Sequence, residues 1–325
     1  MNSKNVFNIK TREDFEKTAL NIFQYQYKNN VVYQNFCGLL KKNPALVKEV
    51  DDIPFLPIQF FKSHQVITGN LPIEEIFTSS GTTGSTYSKH YVTDLSIYQQ
   101  SYLKSFQKFY GSPKDYVILA LLPSYLERKG SSLIFMAEDL IKKSGKEESG
   151  FYLHDLKKLS ANLKKLEAAN QKTLLIGVTF ALLDLAEKYP QQLHHTIVME
   201  TGGMKGRRKE MIREEVHDIL QDNLNVTKVH SEYGMTELLS QAYSKGDGIF
   251  TCPPWMQINT RDPEDALSKQ AIGKTGGINI IDLANINSCA FIATQDLGKV
   301  YADGSFEILG RFDHSDIRGC NLMAL

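Results

Sequence analysis

Four short strand-like runs, the first three of them followed by residues with helical spacing, constrain the fold of this 325-residue chain most strongly. The runs are DYVILALLP (115–123), TLLIGV (173–178), HTIVME (195–200) and VTKVH (226–230). Continuous apolar strands are typical of a parallel sheet that helices cover on both faces. Because strands and helices alternate along the chain, we predict an α/β fold with a largely parallel sheet flanked by helices.

The sequence beyond residue 240 changes to short β runs, among them GIFTC, INIIDLA, CAFIAT and GKVYADGSFEIL. The last run contains Asp303-Gly304, a dipeptide typical of hairpin turns. We therefore expect two domains, an α/β core over residues 1–240 and a β-rich subdomain over 241–325. Tyr98, Tyr102 and Phe106 recur at helical spacing, which predicts a stripe of core aromatic residues.

Charge and cysteine usage exclude several classes of protein. Lys+Arg and Asp+Glu balance at 37 each, so overall charge does not indicate a nucleic-acid partner. No apolar run approaches the roughly 20 residues of a membrane span, and MNSKNVFNIK is unlike a signal peptide. The 4 cysteines are scattered without a CxxC pair, as in a reducing compartment. We expect a cytoplasmic protein with neither a membrane span nor a nucleic-acid partner.

Three loops of unusual composition follow predicted strands. TSSGTTGS (78–85) offers hydroxyls and unhindered amides that suit phosphate oxygens, although it lacks the GxxxxGK[ST] pattern and could be a polar turn. TGG (201–203) permits close approach of a ligand, or forms a plain strand-to-helix turn. EYGMTE (232–237) combines an aromatic ring, a hydroxyl and a carboxylate. Because ligands bind at the carboxyl ends of parallel strands, these loops predict a nucleotide site.

The motifs resemble, in order, those of the adenylate-forming superfamily of acyl-CoA synthetases, peptide-synthetase adenylation domains and luciferases. SSGTTG (79–84) is similar to its phosphate loop and YGMTE (233–237) to its YGxTE motif. TQDLG places Asp296 at the position of its ribose-binding aspartate, and GRFD (310–313) resembles its hinge motif. The resemblance implies that the chain uses ATP and Mg²⁺ to activate a carboxylic acid as an acyl-adenylate.

The same resemblance implies a role for each matching residue. Pyrophosphate contacts would come from Ser79, Ser80, Thr82 and Thr83, and close approach would be permitted by Gly81 and Gly84. Adenine would lie against Tyr233, Gly202 and Gly203, and the ribose would contact Asp296 and Arg311. Thr236 would contact the α-phosphate, and Glu237 would bind Mg²⁺.

Two further segments narrow the resemblance to one branch. PSYLER (123–128) with GSS (130–132), and the ending GRFDHSDIRGC (310–320), are similar to the LuxE-type bacterial acyl-protein synthetases, relatives of phenylacetate-CoA ligases. The resemblance implies a fatty-acid substrate, an acyl group carried on a cysteine near the C-terminus, and delivery to an acyl reductase or another acceptor protein. Cys320 would be that carrier, whereas the residues alone would favour an idle thiol.

The chain departs from the superfamily pattern in its lysines. The family places a lysine directly after the phosphate loop, but here the nearest is Lys89, beyond STYS. We also expect the usual C-terminal lid domain, which supplies a second lysine, to be absent. Lys89, Lys205 or a partner protein could neutralise the charge instead. His154 and His230 are expected to be structural.

Two alternatives to an acyl-protein synthetase stay open at this point. The chain could transfer its activated acyl group to coenzyme A or to a carrier-protein thiol. It could also be a non-catalytic subunit that binds nucleotide or acyl groups, although the intact Thr236-Glu237 pair argues against this.

Overall fold

The computed structural model describes residues 3–79, 87–123, 130–153, 155–202 and 211–312. Internal contacts divide the chain into a central unit, Leu71–Pro253, and a terminal unit that joins Met1–Asn70 to Pro254–Leu325. This division differs from the boundary at 240/241 that the change in composition suggests, because the first 70 residues form one compact unit with the C-terminal segment.

The N-terminal part of the terminal unit is helical. It contains α1 (Arg12–Asn29), α2 (Val31–Leu39), strand β1 (Leu56–Pro57) and α3 (Phe60–Ser63). Thr11 and Asp14 cap the start of α1 reciprocally. Gln26, which is fully buried on α1, donates to the carbonyls of Asn285 and Ile286 and accepts from the Ala290 amide. These bonds fasten the N-terminal helices to the C-terminal segment.

The central unit begins with a hairpin and continues as one larger sheet. The hairpin strands are β2 (Glu75–Thr78) and β3 (Lys89–Val92). The sheet strands are β4 (Val117–Leu121), β5 (Gly150–Phe151), β6 (Thr173–Val178), β7 (Thr196–Thr201), β8 (His230–Tyr233), β9 (Ala242–Ser244) and β10 (Ile249–Thr251). Within this unit their order is β10-β9-β8-β7-β6-β4-β5, in which β4 to β8 are parallel and β9 and β10 are antiparallel to their neighbours. The predicted α/β fold is confirmed.

In the described part of the central unit, one helix lies between the hairpin and the sheet, and four more connect successive parallel strands. They are α4 (Leu95–Tyr110), α5 (Ser132–Ser144), α6 (Leu156–Ala168), α7 (Thr179–Lys188) and α8 (Arg213–Leu224). Tyr98, Tyr102 and Phe106 of α4 are at most 2% exposed, so the predicted stripe of core aromatic residues is confirmed. No helix in the described residues is long and apolar enough to cross a membrane.

The fourth parallel strand lies later in the chain than predicted. VTKVH (226–230) was expected to form it, but β8 covers only His230–Tyr233. Asn225 ends α8 in the left-handed conformation with φ 50°, and Thr227 and Lys228 are exposed, so the residues after α8 form a connection. As a result, Glu232 and Tyr233 belong to the strand itself.

The C-terminal part of the terminal unit is an antiparallel sheet. Its strands run in the order β11 (Met256–Arg261), β12 (Gly276–Asp282), β13 (Phe291–Val300) and β14 (Phe306–Arg311), and β1 pairs in parallel with β13. Gly304, with φ 81°, lies in the tight turn between β13 and β14. The predicted hairpin at Asp303-Gly304 is therefore confirmed.

Candidate functional site

Two of the predicted ligand loops leave neighbouring parallel strands of the central unit. Thr201 at the end of β7 pairs with Glu232 near the end of β8. Gly202 follows the first strand, and the Tyr233–Glu237 segment ends the second. Both therefore lie at the carboxyl edge of the sheet, where open α/β proteins bind ligands.

Residues 79–88 connect β2 to β3 and include most of TSSGTTGS (78–85). We call this connection the hydroxyl-rich segment. The Ser79 amide donates to the Ser88 carbonyl at 3.1 Å, and the Ser88 amide donates to Ser79 Oγ at 3.0 Å. This pair of bonds closes the base of the segment. Lys89, the first residue of β3, follows Ser88 and is exposed.

Several predicted residues fall outside the described part of the chain. They are Ser80, Gly81, Thr82, Thr83, Gly84, His154, Gly203, Lys205 and Cys320. Their roles stay predictions.

Thr236 and Glu237 occupy the centre of a tight turn. The Leu238 amide donates to the Met235 carbonyl at 3.1 Å and closes the turn. Glu237 is 5% exposed, whereas Thr236 is half-buried. The Nδ1 atom of His90 lies 2.8 Å from the Thr236 carbonyl oxygen. Since a carbonyl can only accept, Nδ1 carries the proton.

Helix α4 supports the residues that follow this turn. Ser101 Oγ lies 3.0 Å from Ser240 Oγ, and the Ser105 hydroxyl donates to the Gln241 carbonyl at 3.3 Å. Both serines of α4 are fully buried. Small hydroxyl side chains at these positions let the backbone after Glu237 pack closely on the helix while its polar groups stay hydrogen-bonded.

Gly202 adopts a left-handed conformation, with φ 68°, just beyond β7. The Thr179 hydroxyl at the start of α7 lies 2.8 Å from the Gly202 carbonyl and 3.1 Å from Glu200 Oε2. The position of the loop after β7 is therefore tied to the side chain of Glu200.

Glu200 is the centre of a buried polar network. His217 Nε2 lies 3.2 Å from Glu200 Oε1, Ser231 donates to the same oxygen at 2.9 Å, and Arg213 Nε lies at 3.4 Å. Burial alone would raise the pKa of this carboxyl, but the hydrogen bond and charge of His217, with Arg213 and Ser231, outweigh it and lower the pKa. Glu200 is thus held as a carboxylate.

Glu232 is also buried, but in different surroundings. The Thr201 hydroxyl donates to its Oε2. Burial raises the pKa of Glu232 to about 7, and the Thr201 hydrogen bond opposes this only in part. The other oxygen occupies the space beside Gly234, where a Cβ would lie 2.5 Å from Oε1. Any larger residue at position 234 would therefore force the Glu232 carboxyl to shift.

Tyr233 is half-buried and packs edge-on against Phe250, with ring centroids 6.0 Å apart. The Arg213 guanidinium lies 5.3 Å from the centroid of the Phe250 ring. Arg213 therefore contacts both Phe250 and Glu200, so the surroundings of Tyr233 and of Gly202 share one cation.

The terminal unit brings the two predicted ribose residues together. Asp296 on β13 pairs directly with Arg311 on β14, and Arg311 Nε donates to Asp296 Oδ1 at 2.9 Å. The Asp296 side chain is 7% exposed and that of Arg311 77%. The pair thus presents a buried carboxylate beneath a guanidinium that extends into solvent.

The remaining predictions concern His230, the cysteines and possible metal ligands. His230 Nδ1 lies 3.2 Å from the Tyr110 hydroxyl, and burial, with Lys245 and Lys228, lowers its pKa to about 4. The His230 ring is thus neutral and hydrogen-bonded, which supports the structural role predicted for this histidine. Cys37 and Cys289 are fully buried, whereas Cys252 is half-buried. No group of three His, Cys, Asp or Glu in the described residues could hold a metal ion.

Comparison with protein families identifies the chain. The model of the family described as "Acyl-protein synthetase, LuxE" matches residues 7–324. The chain belongs to this family. The enzyme class predicted from the sequence, a ligase that activates carboxylic acids, is confirmed at the level of the family.

A curated relative agrees with this assignment. The chain is 21% identical to the long-chain-fatty-acid–luciferin-component ligase of Vibrio harveyi over 335 aligned residues, which cover 92% of this chain and 84% of the relative.

Solved structures show the fold. The ATP-bound MatB of Rhodopseudomonas palustris superposes with a TM-score of 0.56 at 19% identity over 74% of this chain. The chain spans about half of that neighbour, 48% of its length. An open conformation of 2-hydroxyisobutyryl-CoA ligase, in complex with 2-HIB-AMP and CoA, gives 0.67 at 13% identity, covering 94% of this chain and 72% of that one. The chain has the fold of these ligases.

Sequence reasoning gave no individual role to three residues of this site. His90, Glu200 and Glu232 all carry ionisable groups within or directly beside apolar strand residues. A charged residue at the end of a buried strand was the available signal, since such a group must find a partner or neutralise. The partners themselves come from distant parts of the chain.

Proposed function

We propose that this LuxE-family protein uses ATP to convert a long-chain fatty acid to an acyl-adenylate and then transfers the acyl group to its own Cys320. The observation that carries the proposal is the Thr236–Glu237 turn at the end of β8, which is hydrogen-bonded through His90 to the strand leaving the hydroxyl-rich segment. The same strand follows Ser88, which is bonded to Ser79, another predicted phosphate contact.

The first step follows from leaving-group chemistry. A carboxylate resists nucleophilic attack because oxide would have to leave. Its oxygen instead attacks the α-phosphorus of ATP, the bond from that phosphorus to the bridging oxygen breaks, and pyrophosphate leaves. All reacting groups are anionic, so the protein contributes positioning and charge neutralisation rather than a general base.

The residues of the central unit divide these tasks. Ser79 and the hydroxyl-rich segment hold the leaving pyrophosphate, and Thr236 contacts the α-phosphate. Tyr233 and the Gly202 loop hold adenine between them. Lys89, exposed at the start of β3, supplies positive charge in place of the displaced family lysine. In the terminal unit, Asp296 and Arg311 bind the ribose hydroxyls.

Glu237 suits a Mg²⁺ ion that arrives with the nucleotide. Mg²⁺ is commonly held by one or two carboxylates together with substrate phosphates, rather than by a complete protein cage. One buried carboxylate at the turn fits this mode, and the described residues contain no three-residue cluster that would indicate a cage. The ion would neutralise phosphate charge.

The second step moves the acyl group to sulfur. The Cys320 thiolate attacks the adenylate carbonyl carbon, the bond from that carbon to the phosphate oxygen breaks, and AMP leaves. The buried thiols are poor competitors, since burial raises the pKa of Cys37 to about 12 and raises that of Cys289 still further. The thioester then passes to an acyl reductase or another acceptor protein in the cytoplasm.

A labelled fatty acid tests this sequence of steps. Incubated with ATP and Mg²⁺, the wild-type chain should acquire label that hydroxylamine releases, as a thioester requires. Cys320→Ala should lose the label but keep forming acyl-adenylate, while Cys252→Ala, a half-buried cysteine outside the proposed site, serves as the matched control. Label that persists on Cys320→Ala would refute the carrier assignment.

The same assay separates the alternatives. Rapid formation of acyl-coenzyme A that does not depend on Cys320 would indicate a coenzyme A ligase. If no acid in a broad panel supports pyrophosphate release, the chain is instead a non-catalytic binding subunit.

A further inference from the structure

His90 occupies a position that neither of its neighbouring motifs includes. It lies on β3, two residues beyond Ser88, whose bonds to Ser79 close the base of the hydroxyl-rich segment. Its side chain is fully buried and its Nδ1 atom lies 2.8 Å from the Thr236 carbonyl. These two residues are 146 positions apart in the chain.

The hairpin that carries His90 is itself held firmly. His90 pairs across the hairpin with Phe77, which packs on Tyr98 of α4 at 5.4 Å and on Phe135 of α5 at 5.8 Å. The Thr78 amide also donates to the Gly130 carbonyl at 2.7 Å. His90 is therefore a hydrogen-bond donor on a hairpin that packing and hydrogen bonds hold in place.

The acceptor is a particular carbonyl of the Met235–Leu238 turn. The turn's own hydrogen bond uses the Met235 carbonyl, so the carbonyl between Thr236 and Glu237 takes no part in it. A backbone carbonyl that packing shields in part from water is stabilised by a hydrogen-bond donor. His90 is a partner, and the bond fixes the plane of the peptide that joins the proposed α-phosphate and Mg²⁺ residues.

We propose that His90 is a positioning residue that sets the Thr236–Glu237 turn relative to the strand leaving the hydroxyl-rich segment. In this arrangement His90 does not contact a substrate, but it ties the turn to β3, and Ser88 directly before that strand is bonded to Ser79. The assignment of a catalytic consequence rests on the function proposed above, whereas the mechanical link stands on the geometry alone.

The link has a kinetic consequence. Misplacement of catalytic groups by about 1 Å can cost on the order of a hundredfold in rate. Loss of the bond would affect the transition state, in which α-phosphate and pyrophosphate contacts must act together, more than it affects ATP binding. The turnover number for adenylation should therefore fall while KM for ATP changes little.

Three variants separate positioning from mere stabilisation. His90→Leu removes the donor, whereas His90→Asn retains an amide donor near the position of Nδ1. Phe77→Leu is the matched control, because it removes packing from the facing position of the same hairpin and keeps the hydrogen bond.

Acid-dependent exchange of labelled pyrophosphate into ATP measures the catalytic consequence. We expect His90→Leu to lower kcat by about 10- to 100-fold with KM for ATP within about threefold, and His90→Asn to recover kcat to within about threefold of wild type. Phe77→Leu should lower the thermal midpoint as much as His90→Leu and keep kcat within about twofold. Equal kcat values in the two Leu variants, or an Asn variant as impaired as His90→Leu, would overturn the proposal.

Hydrogen exchange of the ligand-free protein measures the mechanical link. His90→Leu should speed amide exchange across residues 235–238 by at least about tenfold, while Phe77→Leu leaves these amides within about twofold of wild type. Unchanged exchange there in His90→Leu would refute the link. Wild-type protein that catalyses no pyrophosphate exchange would refute the proposed function, and the ligand-free comparison would still decide whether His90 holds the turn.

Discussion

Glu200 and Glu232 lie on neighbouring parallel strands, are both less than 10% exposed, and have pKa values shifted in opposite directions. In the register of β7 and β8, Glu200 pairs with Ser231 and Thr201 pairs with Glu232. The two carboxyls are thus offset by one residue in register. Since successive side chains of a strand point to opposite faces, they lie on opposite faces of the sheet.

The difference between them shows that partners, rather than burial, decide the charge of an interior carboxyl. On its face Glu200 meets a histidine, an arginine and two hydroxyls from α7, α8 and β8. On the other face Glu232 has the Thr201 hydroxyl and lies near the charge-free phenols of Tyr98, Tyr110 and Tyr243. One face of the sheet stabilises a carboxylate, and the other favours a neutral acid.

Removal of the well-partnered carboxyl should have the largest effect on stability. Glu200→Ala leaves Arg213 and His217 without their shared acceptor in the interior, which should lower the free energy of unfolding by about 3–5 kcal/mol. Urea denaturation measures this. Glu138→Ala on α5, which breaks an exposed ion pair with Lys142, should cost about 0.5 kcal/mol. Equal losses of unfolding free energy in Glu200→Ala and Glu138→Ala would contradict the claim that the partners of Glu200 stabilise its carboxylate.

Neutralising the poorly partnered carboxyl should instead stabilise the protein at alkaline pH. The folded-state pKa of Glu232 is about 7 against an ordinary 4.5, so the folded chain holds this proton more tightly than the unfolded chain. Its stabilising contribution is complete below pH 4.5 and is lost as the pH rises through 7.

Glu232→Gln should therefore match wild type near pH 4 and exceed it by about 3 kcal/mol at pH 8, from about 1.36 kcal/mol per pKa unit. Unfolding free energies across this range measure the difference. Parallel pH profiles for the two proteins would refute the assignment of a neutral acid at this position.

The smallest expected effect comes from the single hydroxyl that contacts Glu232. The Thr201 hydrogen bond lowers the pKa of Glu232, so Thr201→Val should raise that pKa further and cost about 1 kcal/mol at pH 8. Thr201→Ser keeps the hydroxyl and is the matched control. The midpoint of the stability profile should move to higher pH in Thr201→Val alone, and an unmoved midpoint would mean that the hydroxyl has no influence.

Much of the fold was predictable because strand patterns are local. TLLIGV coincides with β6, and the Asp303-Gly304 turn joins β13 and β14 as its chemistry requires. β8 was placed too early because apolar residues of the connection, including fully buried Val229, resemble a strand. The family was predictable as well, since its motifs keep their order along the sequence.

The network around the site was not predictable, because its members meet only after folding. The acceptor of His90 is 146 residues away, and Glu200 draws its partners from three separate elements. No local spacing encodes such contacts. The opposite pKa shifts of Glu200 and Glu232 likewise depend on the strand register that places them on different faces.

The most direct test of the central claim, that this chain activates a carboxylic acid with ATP, is the exchange of labelled pyrophosphate into ATP. With Mg²⁺ and a long-chain fatty acid, wild-type protein should catalyse the exchange, and omission of the acid should abolish it. Glu237→Gln, which keeps the shape and removes the charge proposed to bind Mg²⁺, should lower the rate by at least about a hundredfold. Exchange that proceeds equally without acid, or undiminished in Glu237→Gln, would contradict the account.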